Sequence, residues 1–219
     1  MSSVVRTSRN PCIAAVDLER QVLKRTVAEA RRRRFAPSGT MRNAGAPLFR
    51  RQLSRDLGCL LDLDRDIVSW RCLPRAVWFI GSAGNAHLHV PDFEVVRIDG
   101  SRTLLDAMGD GAVAGSGASD ADVDYEQVDE SFIRAEPRLS NVKELLGYTG
   151  TSLSLGDRVR FLAVLDENGP TPLADCLHAF RHVPDPMAAV AGLALRRFVL
   201  IDLEDAPIGP ETLVRRSHP

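Results

Sequence analysis

Between Pro47 and Asp64 the chain reads "PLFRRQLSRDLGCLLDLD", and Phe49, Leu53, Leu57, Leu60 and Leu61 fall on one face at helical spacing. A proline suits the first turn of a helix, so the run predicts a helix entered at Pro47. An earlier stretch, Asp17 to Arg34, places Leu18, Val22, Leu23 and Val27 near the same period and ends in four arginines. Past Asp64 the period shortens. Ile67, Val68 and Trp70, then Val77 to Ile80, are β-branched and aromatic residues that predict strands. "SAGNA" is a turn, and "HLHVPDFEVVRI" and "RTLLDAM" are two further strands around a "DGS" turn. The predicted order is helix and then four strands, the last two a hairpin. "VDYEQVDESF" reads as one more strand, and Leu139, Val142, Leu145 and Leu146 mark another helix.

The pattern changes again from about Leu153. One amphipathic helix ends at Asn168-Gly169, where glycine suits a helix stop. A second is entered through Thr171 as N-cap with Pro172 in the first helical position, a third through Asp185 and Pro186 in the same way. Two strand-like runs around a Pro/Gly turn close the chain. Three short helices and a hairpin are the order of a winged helix-turn-helix, a module that binds DNA in some proteins and other proteins elsewhere. The third helix, "DPMAAVAGLALRRF", is apolar until Arg196 and Arg197, which favours packing over base readout. The predicted division is a basic helical segment over 1–46, an α/β domain over 47–132 and a winged-helix-like α+β module over 133–219. The Gly/Ala/Ser/Asp-rich stretch 109–122 is read as a flexible linker or loop.

A chain of 219 residues with 44% apolar residues can bury a sizeable core, and its formal charge of −1 neither demands nor excludes a nucleic-acid partner. Cys12, Cys59, Cys72 and Cys176 lack the CxxC pairing and histidine spacing of a structural zinc site. No run approaches the roughly 18 apolar residues of a membrane span, and the start lacks a secretory core. These features predict a soluble, cytoplasmic protein with reduced thiols. The arginines at 31–34 read equally as a solvated helix end and as a phosphate-contacting patch.

Candidate chemistry concentrates in the hairpin. A Mg²⁺-dependent phosphodiesterase must gather hard oxygen ligands, activate water and offset charge on the phosphate. An aspartate on one strand and an acid on the next, followed two residues later by a lysine on the same face, is a compact way to do so. Asp92 behind Pro91 supplies the first acid and Asp106, 14 positions further on, the second. Met108 stands where the lysine belongs and offers neither charge nor proton. The plain alternative is an ordinary hairpin in which Asp92 simply follows Pro91 on an edge strand and Asp106 faces solvent between Leu105 and Ala107. His87 and His89 share a strand face and suit a transition metal, or simply face solvent.

The run from Leu48 to Met108 resembles the N-terminal domain of TnsA, the endonuclease subunit of heteromeric cut-and-paste bacterial transposases. The likeness rests on "FRRQLSRDLGCLLDLDRDIVSWRCLP", with Phe49, Leu53, Arg55, Asp56, Leu60, Leu61, Asp64, Val68 and Pro74 matching, and on "HVPDFEVVRIDG". "EPRLSNVKELLGY" and the winged-helix-like end extend it over most of the chain. The resemblance implies a restriction-endonuclease-like fold with a mixed sheet flanked by helices. It also implies Mg²⁺ on Asp92 and Asp106 if the site is active, and transposon-end DNA, transposase and ATPase subunits as partners. The departures fall on the chemistry. The family's helix glutamate is Ser54 and its lysine is Met108, while Asp56 points to another part of the helix. Arg50 and Arg55 place cations near the site instead. Losing both groups removes large charge-stabilising terms and implies weak or absent cleavage.

Three functional readings follow: a TnsA-like subunit with a degraded site that binds DNA and partners, an active divergent endonuclease, and a winged-helix adaptor or regulator. The second requires a recruited residue, for which Lys24, Lys143 and Glu94 are the candidates.

Overall fold

The computed structural model describes residues 11–36, 39–80, 85–109 and 124–217. The predicted linker at 109–122 lies outside these residues except for Gly109, as do Ser82, Ala83 and Gly84 of the "SAGNA" turn. The first part of the chain comprises α1 (Pro11–Arg33), α2 (Gln52–Leu63), β1 (Ile67–Cys72), β2 (Val77–Ile80), β3 (Ala86–His89), β4 (Phe93–Arg97), β5 (Arg102–Met108) and β6 (Asp124–Asp129). Next come the short α3 (Glu130–Ile133) and α4 (Arg138–Leu146). The last part comprises α5 (Leu155–Asn168), β7 (Thr171–Pro172), α6 (Leu173–Ala179), α7 (Pro186–Leu195), β8 (Val199–Ile201) and β9 (Leu213–Arg216).

The main sheet has the order β1-β4-β5-β6. Its β1–β4 and β4–β5 pairs are antiparallel, whereas β5–β6 is parallel, so the molecule is mixed α/β with a mixed sheet flanked by helices. Alternation along the strands decides what covers each face. Phe93, Val95, Leu105 and Ala107 point to the face where Leu53, Leu57 and Leu61 of α2 pack with Trp70. Leu104 points the other way and packs with Val77 and Phe79 of the β2–β3 hairpin. Helix α1 lies over that hairpin, with Ala30 against Leu73 and Val90 and the Trp78 indole donating to Glu19.

Two expected helix starts shift. Helix α2 begins at Gln52 rather than Pro47, because Arg51 is extended (φ −143, ψ 161) and the loop before it carries Arg50 and Arg51 to the sheet. Thr171 and Pro172 form β7, paired to β9, so α6 starts at Leu173 instead of being capped by Thr171. Two other signals hold as read. The Asp185 side chain caps α7 by accepting from the Ala188 N–H at 2.9 Å. Gly169 ends α5 with φ 73, a conformation that suits glycine.

Helices α5, α6 and α7 enclose a second core with Phe161, Leu165, Phe180, Val190, Leu193 and Val214, under a three-stranded sheet of order β7-β9-β8. This part is fastened to the first. Cys59 of α2, Val142, Leu145 and Leu146 of α4, and Ala191 and Leu195 of α7 form one buried cluster. Arg42 donates to the Leu195 carbonyl at 3.3 Å, and Arg197 donates to the carbonyls of Asp64 and Ile67. The Asn141 amide, 2% exposed, donates to the carbonyls of Leu203 and Ala206 and accepts from the Ile208 N–H. Among the described residues no helix is long and apolar enough to cross a membrane.

Candidate functional site

Asp92 precedes β4 by one residue, and Asp106 lies within β5 beyond the Phe93–Leu105 pair. The register therefore sets the two carboxylates side by side on the face turned away from α2. The Asp92 N–H donates to Asp106 Oδ1 at 2.9 Å, and the Ala107 N–H donates to Asp92 Oδ2 at 3.2 Å. Each residue is 2% exposed. Isolated buried carboxylates are costly, so their partners define the site.

Those partners are mainly arginines. Arg50 bridges the pair: Nε donates to Asp92 Oδ1 at 2.8 Å and Nη2 to Asp106 Oδ1 at 3.0 Å. Arg51 Nη2 donates to Asp92 Oδ2 at 3.1 Å and to the Ala107 carbonyl at 2.6 Å. The last oxygen, Asp106 Oδ2, lies 2.6 Å from His89 Nε2 and accepts from the Tyr125 hydroxyl at 2.8 Å, which itself accepts from Gln127. Burial pushes the Asp106 carboxyl up, but its bonds to His89, Arg50 and Tyr125 outweigh burial and hold it below the usual carboxylate range. Burial and the neighbouring Asp106 charge push the Tyr125 hydroxyl up, so it stays a donor.

This donor set does not fit a divalent ion. All four carboxylate oxygens are bonded, and two guanidinium charges match the two carboxylate charges. Among the described residues no group of three or more His, Cys, Asp or Glu side chains is placed to hold a metal. His89 is half-buried against Asp106 rather than solvent-facing, and His87 is exposed on the same strand face.

The other residues singled out in the sequence divide clearly. Ser54 on α2 is buried, and its hydroxyl has no hydrogen-bond partner among the described residues, so it joins neither aspartate. Met108 follows Asp106 on the same strand face and lines the pocket in front of the carboxylates. Asp56 faces α3 and α4, where it pairs with Lys143 at 2.8 Å and Arg134 at 3.9 Å. Glu94 pairs with Arg71 at 2.6 Å and Arg102 at 3.4 Å, and Lys24 is exposed on α1. Lys143 and Glu94 are thus occupied elsewhere. Arg50 is one of the two cations expected here; the second is Arg51, while Arg55 lies near Cys59.

In front of the cluster opens a cavity of about 420 Å³. Its walls are the end of α1 (Ala30, Arg33), the arginine loop, Phe79, His87 and His89 of the hairpin, and Met108, Tyr125 and Gln127 of the sheet. Arg33 Nη1 donates to the Arg50 carbonyl at 2.9 Å and so ties α1 to the loop. Sequence reasoning missed Arg51, Tyr125 and Gln127. The alternation of Tyr125 and Gln127 was a usable signal once β6 is known to run beside β5. The chain matches no family model and no curated protein.

Proposed function

We propose that the chain is a TnsA-like subunit of a DNA transposition system. In this reading its endonuclease-type centre has become a closed arginine–aspartate cluster, and it binds DNA and partner subunits without cutting. One observation carries this reading. Asp92 and Asp106 meet on adjacent strands as a nuclease hairpin requires, yet every carboxylate oxygen is spent on Arg50, Arg51, His89, Tyr125 or the backbone. A helix packed on a mixed sheet supports a restriction-endonuclease-like fold for the first part. Three helices with the β7-β9-β8 sheet support a winged-helix-like module for the last.

The charge distribution separates the two binding roles. The basic end of α1, Arg31 to Arg33, with Arg34 just beyond it, borders the cavity through Arg33 and supplies phosphate-contacting charge. The loop between β8 and β9 carries Asp202, Glu204, Asp205 and Glu211, which repel a phosphate backbone and favour a protein partner. The test combines nicking of supercoiled plasmid with binding of duplex DNA across a salt series. Little or no nicking in Mg²⁺ or Mn²⁺, with binding that falls as salt rises, is expected. Nicking abolished by Asp92→Ala would restore the active-endonuclease reading. Binding to neither DNA nor co-encoded transposition proteins would sink the proposal.

A further inference from the structure

We propose that Arg50 is a resident cation standing where a divalent ion would bridge the two aspartates, and that the cavity before it takes a phosphate group without any metal. The inference takes its ligand class from the DNA-binding reading above. Its geometry is independent of that reading.

Three observations carry it. First, Arg50 spans Asp92 Oδ1 and Asp106 Oδ1 with two N–H groups, the pair of oxygens one bridging cation would hold. An arginine fork does this at fixed charge, whereas an ion comes and goes with its concentration. Second, the remaining oxygens are bonded too, so nothing is left to draw a divalent ion in. Third, the cluster does not exhaust its own donors. Arg51 makes its bonds through Nη2 alone and Arg33 through Nη1 alone among the described residues, which leaves Nε and one terminal nitrogen on each. Both side chains line the cavity together with His87 and His89. Glu29 stands at the rim, but its carboxylate is paired to Arg25 at 3.1 Å. Guanidinium N–H groups and imidazoles arriving from α1, the arginine loop and the hairpin suit the several oxygens of a phosphate better than the two of a carboxylate.

Thermal unfolding of the full chain tests this with pyrophosphate as probe. Pyrophosphate at about ten times its Kd is expected to raise the midpoint by about 4 °C in the presence of EDTA. Mn²⁺ alone should leave the wild-type midpoint unchanged, and malonate should have no effect. The double variant Arg33→Ala/Arg51→Ala should lose most of the pyrophosphate response. Arg50→Ala should become Mn²⁺-responsive, and should it fail to fold, the wild-type and double-variant results still decide the matter. Four outcomes would overturn the proposal: no pyrophosphate shift, a shift that needs Mn²⁺, an equal shift with malonate, or stabilisation of the wild type by Mn²⁺ that Asp92→Asn abolishes. A chain that responds to pyrophosphate but binds neither duplex DNA nor co-encoded transposition proteins keeps this site and loses the transposition reading. Duplex binding without a pyrophosphate response does the reverse.

Discussion

Two buried carboxylate centres, one held by the loop that leads into α2 and one at the far end of α2 itself, are built on opposite principles. At one end, Asp92 and Asp106 meet two guanidiniums, an imidazole and a phenol at the wall of an open cavity. At the other, Asp62 is fully buried, and its Oδ1 accepts from the Met41 and Arg42 N–H groups and the Trp70 indole. Its Oδ2 has no partner among the described residues. Burial dominates there and pushes the Asp62 carboxyl up, whereas its partners hold Asp106 down. The difference teaches that burial alone does not mark a functional acid. A centre fixed by neutral donors in a dry joint is a fastening. One held ionised by guanidiniums and an imidazole at the wall of a cavity can meet a ligand.

The largest effect expected from breaking this contrast is at Arg50. Arg50→Ala strips the bridging charge from two buried carboxylates and should lower stability by about 3–5 kcal/mol in urea unfolding. Restoring most of that loss by adding Asp92→Asn and Asp106→Asn would confirm the charge origin; a cost under about 1 kcal/mol would refute it. Next in size is Asp62→Ala, which orphans two backbone N–H groups and the indole and should cost about 2–3 kcal/mol. Asp62→Asn keeps an acceptor and should cost less.

Acid titration sharpens the comparison because the signs oppose. The Asp106 carboxyl lies below its unfolded value, so its stabilisation is present above the ordinary carboxylate range and is lost as pH falls through the lowered folded value. The Asp62 carboxyl lies above its unfolded value, so stability is lost as pH rises through that raised value. Melting midpoints of Asp106→Asn and Asp62→Asn against wild type across acid pH should therefore diverge in opposite directions, and parallel curves would contradict the assignment.

The smallest effect is a reporter in each region. Burial pushes Cys59, beside the joint, up to about 11 and Cys72, beside the site, up to about 12. Neither thiol should be labelled at pH 8 in the native state, in a Cys12→Ser/Cys176→Ser background that leaves these two alone. Labelling of both at one urea midpoint would mean that the two regions open as a unit.

Much of the layout was legible because it depends on local periodicity. The apolar stripe of α2, the Asp92–Asp106 hairpin and the Asp185 cap are short-range features. What escaped depends on long-range pairing. Val90-Pro91-Asp92 breaks one predicted strand into β3 and β4, which frees His89 to turn to Asp106. Strand β6 joins β5 in parallel, and nothing local announces that pairing or the Tyr125 bond it creates. The arginine closure was half visible. Arg50 was expected near the acids, but Arg51 reaches them only because the chain stays extended where the apolar stripe had suggested helix.

The carboxamide of Asn141 has one more implication. It grips the 203–208 stretch of the β8–β9 connection from a helix outside that hairpin, using both halves of its amide. The acidic tip therefore takes part of its orientation from α4, in addition to its bonds near β9 and the start of α6. A fragment spanning only α5 to β9 would carry the same residues without the Asn141 grip on 203–208, and a protein that recognises their arrangement would distinguish it from the whole chain.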